Sequence, residues 1–195
     1  MSAPETAALD YDAEVQRVRR GSDPADTERN WRKLHVRGIY EEAGESVSLL
    51  RKAERKGDPI DSEKLCLELG DKLCYLVLAA QDRGSSFAEL WRTLLELYVQ
   101  PSAPADDTCV DDLFGAVGGV ASRFADERRG IDVRQGMLYA LERCLWRLVL
   151  VAAYYGFTVE DLQRANIAKL RARFPEGYTI AAALAKADEQ KAGVQ

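Results

Sequence analysis

Two short acidic motifs carry the residues of this sequence that are best suited to chemistry. Glu41, Glu42 and Glu45 form a Glu-Glu-x-x-Glu motif, and Glu68 and Asp71 form a Glu-x-x-Asp motif. Residues three or four positions apart lie on one face of an α-helix, so each motif predicts a helix with its carboxylates on one face. Two such faces repel each other unless a hard, oxygen-binding cation such as Mg²⁺ lies between them. A single motif would be typical of a solvated helix surface, whereas two in succession favour a metal site.

Each acidic motif contains a glycine within a helix-like pattern, at Gly44 and at Gly70. A glycine in a helix interior costs about 1 kcal/mol relative to alanine, so another interaction must offset this cost. We expect close approach of helices at both glycines, because the absence of a side chain lets two backbones come together. Such an approach would bring the two acidic faces within reach of one metal ion.

Composition limits the classes of function. The chain has 195 residues, which is enough for one domain or two small ones with a sizeable core. Its 27 basic and 32 acidic residues give a net charge of −5, so we expect neither nucleic acid nor a membrane as a partner. No stretch of 18 apolar residues occurs and the first 12 residues contain no apolar signal region, so we expect a soluble, cytoplasmic protein.

The cysteine pattern gives no support for a zinc site or a disulfide framework. Cys66, Cys74, Cys109 and Cys144 show no Cys-x-x-Cys spacing, and the chain has a single histidine. A structural zinc site needs four nitrogen or sulfur ligands close together. We therefore expect reduced cysteines that behave as small apolar residues.

Apolar residues recur at spacings of three and four along most of the chain, and alternating strand-like runs are absent. This periodicity predicts an all-α fold. The predicted helices cover residues 27–56, 61–82, 86–99, 109–129, 133–155 and 159–173. Residues 100–107 are a linker by composition, and the ends, about 1–12 and 185–195, are predicted to be frayed or loosely helical.

The linker divides two halves that resemble each other. The run Leu73–Ala80, followed by Gly84, is echoed by Leu145–Ala152, followed by Gly156, at a constant offset of 72 residues. This similarity favours a duplication, although two unrelated amphipathic helical hairpins also resemble each other. We therefore predict a helical bundle of two related helical-hairpin repeats, pseudo-dimeric within one chain.

The second half lacks the acids of the first. Gly115, Ala116 and Gly119 correspond to the first acidic motif, and Ala140 and Arg143 correspond to the second. If the halves are related, this difference predicts one metal site per chain, with the second half as its fixed structural partner.

Three segments together resemble a known family. The runs Gly38–Glu45 and Leu67–Leu76 are similar to the paired acidic helices of the MazG-like branch of the all-α nucleoside triphosphate pyrophosphohydrolases. The segment Asn166–Tyr178 is similar to the NIxKLxxRYPxGF ending of that family, and the resemblance covers about residues 36–83 and 156–179. It implies a MazG-like helical bundle that uses Mg²⁺, with Mn²⁺ as a substitute, to hydrolyse a nucleoside triphosphate to the monophosphate and pyrophosphate.

The resemblance also implies roles for individual residues. The implied metal ligands are Glu42, Glu45, Glu68 and Asp71. Glu41 is the implied general base that orients the attacking water. Implied contacts with the substrate are Tyr75, Asn166, Lys169 and Arg173, although the two cations equally suit capping of the last helix.

Two further residues lie close enough on one helix to act together. Trp31 and His35 are four positions apart, and an aromatic ring beside an imidazole could line a nucleobase pocket. A pair buried in the core fits the same spacing equally well.

We divide the chain into an N-terminal extension, a catalytic half, a degenerate half with the terminal motif, and a tail, at residues 1–24, 25–99, 108–179 and 180–195. The expected function is nucleotide-pool cleansing by an enzyme that acts on a free nucleoside triphosphate. The alternatives are a catalytically inactive nucleotide-binding or regulatory protein with the same fold, and a helical interaction module. The expected assembly is either a homodimer or a monomer in which the partner half is fused in cis.

Overall fold

The computed structural model describes residues 4–20, 28–97 and 108–177. Over these ranges the chain forms seven α-helices and no strand, so the all-α prediction is confirmed. The helices are α1 Pro4–Arg20, α2 Glu28–Lys56, α3 Ser62–Gln81, α4 Phe87–Leu97, α5 Thr108–Arg128, α6 Arg134–Tyr154 and α7 Val159–Arg173. Helices α2 to α7 begin and end within two residues of the predicted bounds. The predicted linker 100–107 and tail 185–195 lie outside the described residues.

Local sequence explains where several helices begin and end. The Asp61 carboxylate caps α3 by accepting the backbone N–H three residues later, at 3.0 Å. At the start of α7, Thr158 and Asp161 form a capping box, in which each side chain accepts the other's backbone N–H. Gly84 and Gly156 follow α3 and α6 with φ of 71° and 81°, a left-handed conformation that suits glycine.

Four helices form the centre of the molecule. Helix α2 packs on α3 and α5 packs on α6, while α3 also packs on α6 and α2 on α5. The contacts between these helices are made by leucines at helical spacing, among them Leu69, Leu73 and Leu76 on α3 and Leu141 and Leu145 on α6, all buried. All four cysteines are free thiols, and three of them are buried. No helix of the described residues is both long and apolar enough to cross a membrane.

The two shorter helices pack across the bundle. Helix α4 follows α3 in the chain but packs on α6, and α7 follows α6 but packs on α3. Each hairpin is therefore covered by the helix that follows the other hairpin. This exchange puts α7 beside the acidic face of α3.

Helix α1 was not among the six predicted helices, because residues 1–24 were treated as an extension whose first 12 residues were expected to be frayed or loosely helical. The structure instead packs α1 against α3, α4 and α7. Tyr11, Val15 and Val18 are buried, and their spacing of four and three places them on one helix face. This apolar pattern is short and lies among charged residues in the sequence. The helix is therefore recognisable only from the helices that it packs against.

Helix α1 is fixed to the start of α4 by Asp12. Its carboxylate accepts the backbone N–H groups of Phe87 and Ala88 at 3.0 and 3.3 Å, and a bond from the Gln81 amide at 2.9 Å. A helix begins with unpaired N–H groups, and here a carboxylate from another helix pairs with two of them.

A buried polar cluster fixes the N-terminal part of α2. His35 Nδ1 lies 2.7 Å from Asp82 Oδ2, and Arg19 forms an ion pair with the other oxygen of Asp82 at 2.7 Å. The buried Arg83 donates to Glu127 on α5 at 2.5 Å. Buried charges persist only when they are paired and hydrogen-bonded, so these contacts fix α1, α2, α3 and α5 in one relative arrangement.

The two motif glycines behave differently. A Cβ atom at Gly70 would lie 2.8 Å from the Leu162 carbonyl oxygen and 3.2 Å from Asn166 Cβ, so α3 and α7 are in backbone contact there. At Gly44 nothing lies within 4 Å of such a Cβ atom. The prediction of close approach is therefore right for Gly70, although its partner is α7, and wrong for Gly44, which faces solvent.

We expect Gly70→Ala to destabilise the fold by about 1 to 3 kcal/mol, because the new methyl group would force two backbones apart. Gly44→Ala is the matched control, and it should stabilise the fold by up to about 1 kcal/mol, since it improves helix propensity in open space. Urea unfolding of both variants measures the two effects. Equal changes in the free energy of unfolding would contradict the close contact.

Candidate metal centre

Helices α2 and α3 bring three carboxylates together. Glu42, Glu68 and Asp71 each offer an oxygen atom, and these atoms all lie within 4.8 Å of one another. Glu68 and Asp71 are one helical turn apart on α3, and Glu42 faces them from α2. The sequence analysis identified all three residues.

The other two motif acids lie beside this group. Glu45 is exposed, and its charge raises the pKa of Glu68. Glu41 is also exposed. Helical periodicity explains the difference, since Glu42 lies on the side of α2 that meets α3 and the other two point more toward solvent. Glu45 is thus a neighbour of the three-carboxylate group, and Glu41 precedes Glu42 on the exposed surface of α2.

Crowding of the acids changes their ionisation. Burial, followed by the charges of Asp71, Glu45 and Glu68, raises the pKa of Glu42 to about 8. Burial and the charge of Glu45 also raise the pKa of Glu68. Glu42 Oε2 is buried and has no hydrogen-bond partner among the described residues. Without a cation, Glu42 therefore keeps its proton up to about pH 8, because its anion would be buried among other acids.

Helix α7 supplies two partners for Asp71. Asn166 donates from Nδ2 to Asp71 Oδ1 at 2.9 Å, and the Lys169 ammonium forms an ion pair with Asp71 Oδ2. Burial opposes charge on Lys169, but the hydrogen bond to Asp71 and the charges of the nearby acids together outweigh it and raise the pKa of this ammonium. Neither contact is a helix cap, so the structure joins the terminal motif to the acidic motifs across 95 and 98 positions.

Lys72 is a further charged residue at this site, and the sequence analysis missed it. Its side chain is fully buried, and Nζ donates to Ser46 Oγ at 3.4 Å. Burial lowers the pKa of Lys72 to about 8, against the opposing influence of Cys144, Glu42 and Glu68. The signal in the sequence was a single lysine within the apolar run that continues α3.

Tyr75 forms one wall beside the acids. Its ring lies against Gly38 on α2, where a Cβ atom would be 2.4 Å from Tyr75 Cδ1. Burial, and then the charges of Cys74, Glu42 and Asp71, raise the pKa of the phenol, which therefore remains protonated. Gly38 makes this contact possible, because any side chain at that position would displace the ring.

The remaining predicted residues lie farther from the acids. The rings of Trp31 and His35 have centroids 5.7 Å apart and planes tilted by 32°, and the His35 imidazole contacts Asp82. His35 precedes Glu42 by two helical turns. Arg173 is in the last turn of α7, with its guanidinium 5.4 Å from the centroid of the Phe174 ring. The structure thus joins Asn166 and Lys169 to the acidic group by direct contacts.

The donor set fits a hard divalent cation. It consists of carboxylate oxygens alone, and Mg²⁺ and Mn²⁺ prefer such ligands whereas zinc prefers nitrogen and sulfur. The buried Oε2 of Glu42 has no hydrogen-bond partner among the described residues, and the raised pKa of that carboxyl indicates that its anion lacks a compensating positive charge. A divalent cation would supply that charge and displace the proton.

Comparison of the chain with protein-family models, with curated proteins and with solved structures finds no match. The function is therefore inferred from the geometry and charge of this site.

The raised pKa of Glu42 predicts a pH dependence that a metal ion should abolish. The folded protein keeps this proton up to about pH 8, whereas an unfolded glutamate loses it near pH 4.5. Between these values the folded state binds more protons, so its stability falls as pH rises. We expect the melting temperature of the metal-free protein to fall over this window, and Mg²⁺ to restore it by replacing the proton.

Thermal unfolding in chelator and in Mg²⁺, from about pH 5 to about pH 8, measures this effect. Glu42→Gln removes the titrating group and should flatten the curve in chelator. A pH dependence that is the same with chelator, with Mg²⁺ and in the variant would contradict the assignment.

Proposed function

We propose that this protein is a Mg²⁺-dependent nucleoside triphosphate pyrophosphohydrolase, which cleaves its substrate to the monophosphate and pyrophosphate. The observation that carries the proposal is the group of three carboxylates, from two helices, within 4.8 Å of one another. The order and spacing of the acidic and terminal motifs, which resemble those of MazG-like enzymes, support the reaction type.

In this proposal Glu42, Glu68 and Asp71 hold the metal ion, and Glu45 adds a carboxylate beside them. When bound, Mg²⁺ would neutralise phosphate charge and polarise the phosphorus that is attacked. Mn²⁺ would serve as a substitute. The fully buried Lys72 adds a positive charge beneath the acids, which reduces the repulsion that folding must overcome.

Glu41 is the proposed general base. It lies between Tyr40 and the proposed metal ligand Glu42 on α2. Its side chain is exposed, so water can reach it. A carboxylate in this place can accept a proton from water and direct the oxygen toward the substrate. Tyr75 lies close enough for the Glu41 charge to raise its pKa, so its ring lines the same side of the site.

Helix α7 is proposed to contact the phosphates. The Lys169 ammonium is held beside the acids by Asp71, and it would face the phosphate chain of a substrate bound there. Asn166 keeps one amide N–H on Asp71 and so holds this ligand in place. Trp31, His35 and Arg173 remain candidates for contacts with the outer parts of the substrate.

The exchange of α4 and α7 supports the two-repeat interpretation. If the two hairpins are related, the helix that follows each hairpin covers the other hairpin. Subunits that exchange a segment pack in the same way. The second half has no acids at the positions equivalent to the metal ligands. It would act as a partner subunit fused in cis, and its α7 would complete the single site.

The proposed role is removal of an unwanted nucleotide from the cytoplasmic pool. The alternative on the same fold is a nucleotide-binding or regulatory protein without catalysis. The three crowded carboxylates favour the enzyme over the binding protein. A protein that only binds a nucleotide has no need of a metal that polarises phosphorus.

Catalysis is tested by measuring pyrophosphate release from a panel of ribo- and deoxyribonucleoside triphosphates with Mg²⁺ or Mn²⁺. We expect Glu41→Gln to lower kcat by at least about 100-fold, as loss of a general base does. Glu54→Gln, an exposed glutamate on the same helix, is the matched control and should leave the rate unchanged. No release from any triphosphate by a protein that binds Mn²⁺ would instead favour the regulatory alternative.

Lys169 should have opposite effects on metal and substrate. Lys169→Met removes a cation that competes for Asp71, so the free protein should bind Mn²⁺ more tightly. The same change should raise the KM for the triphosphate about ten- to hundredfold, the equivalent of one hydrogen bond to a charged group. Lys52→Met, on the exposed surface of α2, is the control. Weaker Mn²⁺ binding with an unchanged KM would contradict this role.

A further inference from the structure

A chain of hydrogen bonds connects α1 to the proposed metal site. The Tyr11 hydroxyl donates to Asn166 Oδ1 at 3.0 Å, and Asn166 Nδ2 donates to Asp71 Oδ1 at 2.9 Å. Tyr11 and Asn166 are both fully buried. A side chain on the first helix thus reaches a proposed metal ligand through a single intervening residue.

The Tyr11 hydroxyl determines which end of the Asn166 amide faces Asp71. A hydroxyl that donates a proton must meet the amide oxygen, so the amide nitrogen is directed at the carboxylate. The reverse orientation would put the amide oxygen against the negatively charged Asp71. Burial, followed by the charges of Cys74 and Asp71, raises the pKa of the Tyr11 phenol, so the hydroxyl keeps its proton.

The bond from Asn166 leaves Asp71 able to bind a cation. Each carboxylate oxygen can accept about two partners, and Asn166 and Lys169 occupy one position on each oxygen. The remaining positions stay available. The Asn166 bond therefore fixes the orientation of the carboxylate without closing it to a metal ion.

Two further contacts hold α1 in register beside α7 and the residues that follow it. Arg17 donates to the carbonyl oxygens of Phe174 and Pro175 at 2.8 and 3.2 Å. Arg171 donates to Glu14 at 2.5 Å. Together with the Tyr11 bond, these contacts fasten three successive turns of α1 along α7, and α1 also packs on α3.

From this arrangement we propose that Tyr11 is a positioning residue of the metal site, which acts through Asn166 to orient Asp71. The inference rests on the proposed function, because it takes Asp71 to be a metal ligand. It makes α1 part of the metal site, although the sequence placed this segment in an extension outside the catalytic half. Groups that orient metal ligands in this way commonly change metal affinity about 10- to 100-fold when they are removed.

The test is the affinity of the full chain for Mn²⁺ alone, measured by electron paramagnetic resonance. Tyr11→Phe keeps the buried ring and removes only the hydroxyl, so we expect about tenfold weaker binding. Tyr40→Phe is the matched control, because its buried hydroxyl has no hydrogen-bond partner among the described residues. This control should bind Mn²⁺ as the wild type does.

A double-mutant cycle tests whether Tyr11 acts through Asn166. Asn166→Leu should weaken Mn²⁺ binding, and addition of Tyr11→Phe should then cause no further loss. Chemical denaturation of each variant separates changes in affinity from changes in stability. If Asn166→Leu does not fold, the comparison of Tyr11→Phe with Tyr40→Phe still decides the question.

The possible results are distinguishable. Failure of the wild type to bind Mn²⁺ would overturn the metal site and the proposed function together. Mn²⁺ binding by the wild type with an unchanged affinity in Tyr11→Phe, even at lower stability, would overturn the positioning role alone. Additive losses in the double mutant would show that Tyr11 does not act through Asn166, and would overturn the proposed route.

Discussion

Because Gly70 has no side chain, the backbone of α3 lies against the Leu162 carbonyl of α7, and much of the molecule depends on this contact. It brings Asn166 and Lys169 to Asp71, which neither the order of the helices nor their individual amphipathicity would require. It also gives α1 a surface on which to pack, since α1 contacts both α3 and α7. One position without a side chain thus connects the packing of three helices to the geometry of the acidic group.

The acidic group lies in a poorly solvated region, where nearby positive side chains partly offset its negative charges. Burial, together with repulsion among the acids, raises the pKa values of Glu42 and Glu68. Lys169 and the fully buried Lys72 relieve part of this repulsion. Glu42 keeps its proton up to about pH 8, and its buried Oε2 has no partner among the described residues. Such an arrangement is costly for a purely structural element and appropriate for a site that receives a cation.

The sequence was sufficient for the features that depend on local order. Helical periodicity and the capping residues Asp61 and Thr158 predicted six helices, and motif spacing predicted an acidic face on each of two helices, from which Glu42, Glu68 and Asp71 come together. It was insufficient where a distant partner decides the outcome. The apolar face of α1 is short, so its helix depends on packing against α3, α4 and α7. Lys72 lies within an apolar run, and only the fold shows that acids lie beside it. Gly44 and Gly70 occupy equivalent places in their motifs, but only one meets another helix.

The path from Tyr11 through Asn166 to Asp71 has a consequence for biosynthesis. Tyr11 and Asn166 are separated by 155 positions, and Asp71 and Lys169 by 98. A ribosome therefore releases the acids of α2 and α3 long before it makes the residues of α7 that hold Asp71. During that interval the nascent chain carries repelling carboxylates without either partner, so the fold cannot be completed hairpin by hairpin. The acidic group therefore acquires its partners Asn166 and Lys169 only after α7 has been made.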